Sequence, residues 1–499
     1  MSLPSDSKKR QVLPRWLPFE QFSLIHNELI HNTLEVRAPS DIDRENHFYN
    51  EKLNSWLKTP DEMSAIDFLE TSKFLGLKDE NTELAAKALI VGSSGNSNSV
   101  RKLALGFLDK LQPKLEVISD NIDYLRKSRA AISGLKRKLI ATPKNSIYWI
   151  DLAYHYTVAG HTEKARRSID VALNLNSNNR FVLAGSVRYF LHQDEPDFAL
   201  SILRNSESLK FDPFLISAEI AISESIERTS KNIRIGRGLL KNIDLNLFGA
   251  TELSSTLGTL EASHGSSKNA KKFIRDSLIS PNENTIAQAL WLNHKEGFVI
   301  PVNTNSINSF EAKTRENYLN GDLKGVVNEA TKWFYYQPFS SIPVVDASYM
   351  SSLALEDYEN TVDLCTKALL TLSLEPMLIN NLVYSLTQLG RIEEALVWLD
   401  KIDIANADDN ERATFLATIG LISYKEKDLK KGREYYEKSI DIFKKTKSNR
   451  QLAVACYSFG VEEFNFSKEK GTALLKQAFS IADKYKINEL LIHKKKYSF

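Results

Sequence analysis

The sequence predicts an all-α solenoid of stacked helical hairpins, preceded by a helical N-terminal region. Three observations carry this reading. A set of small and large apolar residues recurs at a spacing near 34 residues, and prolines close several of the resulting units at Pro213, Pro281 and Pro338. Between these marks the apolar residues follow the 3.6-residue period of an amphipathic helix. The clearest unit, 376–409, holds Leu382, Val383, Leu386, Gly390, Ala395, Leu399 and Ile402. A comparable series appears at Trp149, Leu152, Ala153, Tyr156, Gly160, Ala165, Ile169 and Ala172. The small residues belong where two helices cross closely, and one hairpin cannot bury its own apolar faces, so copies must stack.

Composition bounds the rest. The 499 residues are 42% apolar and 26% charged, ordinary for a folded soluble chain. Lys and Arg total 65 against 63 Asp and Glu, so the overall balance points to no polyanionic partner. The two cysteines, Cys365 and Cys456, lie far apart in helical segments, which fits free thiols used as small hydrophobes and excludes a disulfide framework. No signal peptide and no run of about 18 apolar residues is visible, so a cytoplasmic protein is expected.

Along the chain, residues 1–45 form an irregular N-terminal segment. Trp16, Leu17, Phe19 and Phe22 act as its aromatic anchor and a short helix is expected over 19–34. The segment either docks on the helical body or offers a linear motif to a partner. Residues 46–145 are a helical N-terminal region. In it Thr59-Pro60-Asp61-Glu62 reads as an N-cap, a first-position proline and a closing glutamate, and a longer amphipathic helix covers 114–140. A first sub-array is expected over 146–296 and a second over 306–488, followed by a basic tail at 489–499. Gly297 to Asn303 between them reads as extended chain, which is expected to uncouple the two and to admit protease.

The unit starting near Ser146 resembles the tetratricopeptide repeat family. The resemblance rests on Trp149, Leu152, Ala153, Tyr156, Ala165, Ile169 and Ala172, with Ser177 where a proline is common. It covers about two thirds of the chain. It implies a right-handed solenoid that binds peptides along a concave surface lined by the first helix of each hairpin. The residues it projects inward are Asn380, Asn381, Tyr384 and Gln388 in the second sub-array, and Tyr154, Thr157, Arg188 and His192 in the first. Side-chain amides there can both donate to and accept from an extended peptide backbone, and the two asparagines have no part in the packing pattern. Family members that hold a terminal carboxylate carry flanking lysines and arginines. Here the neighbouring positions are Asp346, Thr414 and Thr418, which argues against that clamp. A wet polar inner face with no ligand is the plain alternative.

No catalytic motif is present. Gly92-Ser93-Ser94-Gly95 lacks the lysine of a phosphate loop, and there is no HExxH or GxSxG. His26 and His31 are badly spaced for shared metal binding. Asp41, Asp43, Glu45 and His47 read as a polar loop. No cofactor, metal or catalytic residue is therefore expected. The stretch between Asp123 and Asp151 carries Arg126, Lys127, Arg129, Lys136, Arg137, Lys138 and Lys144 with no acidic residue. Such a helix suits nucleic acid, an acidic protein surface, or solvent alone, and no stacking aromatics interleave with it. The function expected is a non-catalytic adaptor or regulatory subunit with a protein partner. The alternatives are a nucleic-acid-associated factor using the basic helix, within an assembly such as a bacterial defence system, and a self-assembling scaffold. No membrane contact is expected, and an oligomer is allowed.

Overall fold

The computed structural model describes residues 9–19, 42–75, 79–91, 104, 107–108, 121–241, 248–304, 308–372 and 375–497. These residues are all-α, with twenty-four α-helices and no strand among them. The first ten are α1 (Ile42–Lys58), α2 (Glu62–Leu75), α3 (Glu80–Val91), α4 (Asn121–Ala141), α5 (Ser146–Val158), α6 (Thr162–Leu175), α7 (Arg180–His192), α8 (Pro196–Asn205), α9 (Pro213–Ser225) and α10 (Ile233–Leu239). There follow α11 (Phe248–His264), α12 (Ser267–Ser277), α13 (Glu283–Lys295), α14 (Phe310–Asn320), α15 (Leu323–Tyr336), α16 (Ser341–Leu353) and α17 (Tyr358–Ala368). The last are α18 (Pro376–Gln388), α19 (Ile392–Leu399), α20 (Asp409–Lys425), α21 (Leu429–Lys445), α22 (Asn449–Phe464), α23 (Lys468–Tyr485) and α24 (Asn488–Leu491). The sites at His26 and His31 and the expected helix beyond Phe19 lie outside the described residues, as does the 92–99 loop.

The described residues form two compact units. One takes those of Leu13–Thr157 and His161–Leu257; the other takes those of Met1–Val12, Val158–Gly160 and Gly258–Phe499. In the first, α1, α2 and α3 pack in series around Trp56, Phe68, Leu69, Ala86 and Leu89. The start of α2 differs from expectation by two residues. Asp61, not Thr59, is the cap: its carboxylate accepts the Ser64 amide at 2.8 Å, and the Ser64 hydroxyl accepts the Asp61 amide at 3.2 Å. A short carboxylate three residues before a serine closes the box as well as the expected glutamate would. The hairpin of α5 and α6 buries the residues that the repeat pattern names. Ala153, Ala165, Ile169 and Ala172 are fully buried, while Trp149 stays half-exposed and donates from Nε1 to the Pro143 carbonyl at 2.8 Å.

The second unit continues the scheme. α14 with α15, α18 with α19, α20 with α21 and α22 with α23 are packed pairs, and α16, α18, α20 and α22 also pack side by side. At the α20–α21 crossing two glycines replace side chains reciprocally. A Cβ on Gly420 would meet the Tyr436 ring at 2.8 Å, and one on Gly432 would meet the Tyr424 ring at 2.6 Å. The turns inside two hairpins use left-handed glycines, Gly321 at φ 77° and Gly390 at φ 76°, which a residue with a Cβ adopts only with strain. Both cysteines are buried free thiols, and burial pushes each up to about 12.

The extended segment after α13 is present but does not form an open break. Phe298 and Ile300 are buried against Ala270, Ile274, Trp291 and Leu292, while Val299 between them faces out. The Asn293 side chain donates to the Ile300 carbonyl at 2.7 Å and accepts its amide at 3.1 Å, as a neighbouring strand would. Helical pairing is replaced there by a packed strap. At the other end of the unit α24 contacts α16. Asn488 donates to the Tyr318 carbonyl at 2.9 Å, and His493 lies 2.7 Å from the Leu353 carbonyl. The C-terminal residues thus fold back onto helices more than a hundred positions earlier.

Candidate peptide groove

The inner face of the second unit is built by the first helices of four successive hairpins. Two of them start at a definite signal. Pro376 opens α18 at a position where its missing N–H costs nothing. Asp408 and Glu411 close a capping box that opens α20, with the Glu411 amide donating to Asp408 Oδ1 at 2.8 Å. The wall formed by α16, α18, α20 and α22 encloses a cavity of about 140 Å³ lined by Val345, Tyr349, Met377, Asn380, Asn381, Tyr384, Thr418, Arg450 and Val454, among others. Tyr436 and Phe443 form its most buried surface. An apolar cavity near this size accommodates a benzene-sized group. A phenylalanine, leucine or methionine side chain therefore matches it in volume and polarity.

Of the residues predicted to project inward here, Asn380, Asn381 and Tyr384 line this cavity and Gln388 does not, and their side chains are engaged. Asn381 Nδ2 donates to Ser348 Oγ at 2.9 Å and to the Val345 carbonyl at 3.3 Å, tying α18 to α16. Asn380 Oδ1 accepts the Thr418 hydroxyl at 2.8 Å, tying α18 to α20. Both asparagines are buried, at 5% and 6% exposure. The expectation that they have no part in packing is corrected: amides at an inter-helix seam satisfy each other in place of water. Tyr384 lies over the middle of the wall and its hydroxyl accepts Gln388 Nε2 at 3.4 Å. Burial pushes its phenol up to about 12, against the lowering effect of Gln388.

Asp346, expected at the inner surface, is instead fully buried and does not line the cavity, whereas Val345 does. The interval from α16 to α18 is 35 residues, which pairs Val345 with Asn380 and Tyr349 with Tyr384. A 34-residue ruler turns that position by one residue, about 100° on a helix.

One end of the cavity carries a charge cluster that sequence reading missed. Arg450 Nε donates to Glu489 Oε1 at 2.8 Å, and its Nη2 donates to the Tyr318 hydroxyl at 2.9 Å and also to Glu489. Tyr318 and Tyr349 donate to the same carboxylate at 3.0 and 3.2 Å. Burial works against the Arg450 charge, but Glu489 and the two phenols outweigh it and hold the guanidinium protonated. Glu489 is fully buried, so the pair forms a fixed polar border to an apolar space.

In the other unit Tyr154 and Arg188 of the predicted inner set lie beside the chain's own N-terminal segment. The Trp16 indole meets Tyr154 edge-on at 5.4 Å and Tyr189 at 6.3 Å, and lies so close to Gly185 that a Cβ there would fall 2.8 Å from its Nε1. Phe19 donates its amide to Asp151 at 2.9 Å and packs edge-on against Phe181. Arg188 is lowered to about 10 by burial and by the like charge of Arg15, and His192 is half-buried. Of the two readings of the N-terminal segment, the contacts of residues 13–19 match docking.

Arg126, Lys127, Arg129, Lys136, Arg137 and Lys138 are all exposed on α4, with Leu135 and Leu139 buried beneath them. Aromatics do stand beside this helix: Lys136 lies 5.9 Å from the Tyr156 ring and Lys138 lies 5.3 Å from that of Tyr148. They come from α5, so no interleaving within the helix sequence could reveal them.

These elements define an all-helical repeat protein of stacked hairpins. No family model and no curated protein matches the chain. Among solved structures it is similar to the APC/C hetero-tetramer Cut9–Hcn1, with 12% identity over 96% of this chain and 92% of that one, at a TM-score of 0.41. A likeness of that size bears on neither partner nor activity. Among the described residues no group of three or more His, Cys, Asp or Glu is placed to hold a metal, and no helix is long and apolar enough to cross a membrane.

Proposed function

We propose that the chain is a tetratricopeptide-type, non-catalytic interaction subunit, working in the cytoplasm, that grips an extended segment of a protein partner. One large apolar side chain of that segment enters the cavity between α16, α18, α20 and α22. The observation that carries this is an apolar cavity of about 140 Å³ lined jointly by four successive first helices. Half-buried Val345, Tyr349, Met377 and Val454 remain open to be covered, and the fixed amides and Arg450 border it. Binding sites for side chains are commonly apolar with a few placed polar groups. A photo-crosslinking residue in place of Met377 should capture the partner, while one at exposed Val397 should not. Ala417→Arg, which fills the cavity mouth, should abolish capture. Equal labelling from both positions, or capture that survives Ala417→Arg, would refute the reading.

A second reading has one observation behind it. Six exposed cations on α4, with Tyr148 and Tyr156 beside two of them, form a surface suited to an acidic protein or to nucleic acid.

A further inference from the structure

The unit containing α13 and α14 holds a second, fully built recognition site that does not depend on the groove above. Arg10 enters it from 274 to 301 residues away. Its Nε and Nη2 donate to the two carboxylate oxygens of Glu311 at 2.6 and 2.9 Å. Its Nη1 donates to Gln288 Oε1 at 2.6 Å and its Nη2 to Asn284 Oδ1 at 2.9 Å, while Gln288 Nε2 returns a bond to the Arg10 carbonyl at 3.3 Å. Asn284, Gln288 and Glu311 are 1%, 0% and 6% exposed. Three buried acceptors arranged around one planar fork recognise a guanidinium; a lysine, with one nitrogen, cannot meet all of them.

We propose that this is an arginine-reading peptide site, occupied in the resting protein by the chain's own N-terminal segment and available to an arginine-bearing extended segment of a partner when that segment lets go. Two features make it a ligand site and not only a strut. Residues 9–18, on the ligand side, are outside any helix or strand. The seat also keeps its own counter-ion, since Arg315 Nη2 stands 3.7 Å from Glu311 Oε1, so the departure of Arg10 does not strand a buried carboxylate. A tethered ligand acts at an effective concentration near millimolar. The native chain therefore resists competing peptides that would otherwise bind.

The test uses the full chain and a fluorescein-labelled peptide of residues 9–19, KRQVLPRWLPF. The native protein should bind it weakly, and the Arg10→Ala/Trp16→Ala double variant at least tenfold more tightly, because the internal competitor is lost. Glu311→Gln added to that variant should remove the gain, and a peptide with lysine at the Arg10 position should bind at least tenfold more weakly. No gain in the double variant, or equal binding of the lysine peptide, would overturn the proposal. Should the double variant fail to fold, hydrogen exchange on the native protein decides instead. Amides of 9–19 should exchange faster than those of Glu283–Lys295, and faster again with saturating unlabelled peptide. Protection of 9–19 equal to that of α13, unmoved by peptide, would make the segment part of the core and sink the idea.

Discussion

Asn381→Ala offers the sharpest test of how the wall of the groove is held. The side chain makes two hydrogen bonds across the α16–α18 seam, and it is buried. Each such bond contributes about 0.5–1.5 kcal/mol net. Its loss orphans little, because the Ser348 hydroxyl still donates to the Val345 carbonyl at 3.1 Å. A cost of about 1–2 kcal/mol follows for Asn381→Ala. Asn380→Ala should cost less, about 0.5–1 kcal/mol, since the Thr418 hydroxyl retains a second acceptor in the Thr414 carbonyl at 3.3 Å. A long repeat protein need not melt in one step, so the assay should be local. Amide exchange in 341–353 and 376–388 should quicken roughly 5–30-fold in Asn381→Ala, the factor that matches 1–2 kcal/mol. Pairing the change with Ser348→Ala should give clearly less than the sum of the single effects. Exchange within twofold of the parent would show that the asparagine does not tie the seam, and the free-amide view of the groove would return.

Further outcomes are expected. Burial lowers His155 from 6.5 to about 4; the neutral form is the folded one, so its contribution is complete above pH 6.5 and is lost as pH falls from 6.5 toward 4. That loss, at most about 3 kcal/mol, should appear as faster exchange in α5 and should be flattened by His155→Gln. Gly432→Ala drives a Cβ into the Tyr424 ring and should cost about 1–3 kcal/mol, as should Ala165→Leu and Ala395→Leu at fully buried crossings; parental melting would mean the crossings are misplaced. Charge reversal at Lys136, Arg137 and Lys138 should leave the fold intact. No nucleic-acid binding is expected from the parent near physiological salt, and sub-micromolar binding with a steep salt dependence would promote the second reading. Asn293→Ala should speed exchange of the Ile300 amide about tenfold while α13 stays protected, and no change would mean that the strap holds without its clasp.

The pattern of small residues made the hairpins legible because it is local. Ala165, Ile169, Ala172 and Ala395 have no exposed surface, and the spacing that marks them is contained within single hairpins. That Asn380, Asn381 and Tyr384 share one helix face was legible for the same reason, and all three line the cavity. The chemistry of that face was not legible. A buried asparagine and a solvent-facing one look alike in sequence, and only the neighbouring helix reveals that Ser348 and Thr418 take up their bonds. Val345 was missed because one inter-helix interval is 35 residues long. Arg450 with Glu489, and Arg10 with Glu311, depend on contacts between distant parts of the chain, to which helical periodicity is blind.

The return of the C-terminal residues onto earlier helices has a consequence for descent. Open solenoids gain and lose whole repeats easily, since a new hairpin meets only its two neighbours. Here Asn488 and Glu489 must reach Tyr318, and His493 must reach Leu353. Duplicating or deleting the α18–α19 or α20–α21 hairpin would displace the closing helix by the thickness of a repeat from α14 and α16, and leave Glu489 with Arg450 but without the phenols of Tyr318 and Tyr349. Repeat number in this stretch is therefore frozen. Divergent copies should vary in loop length and surface residues while keeping the same count of hairpins between Tyr318 and Glu489.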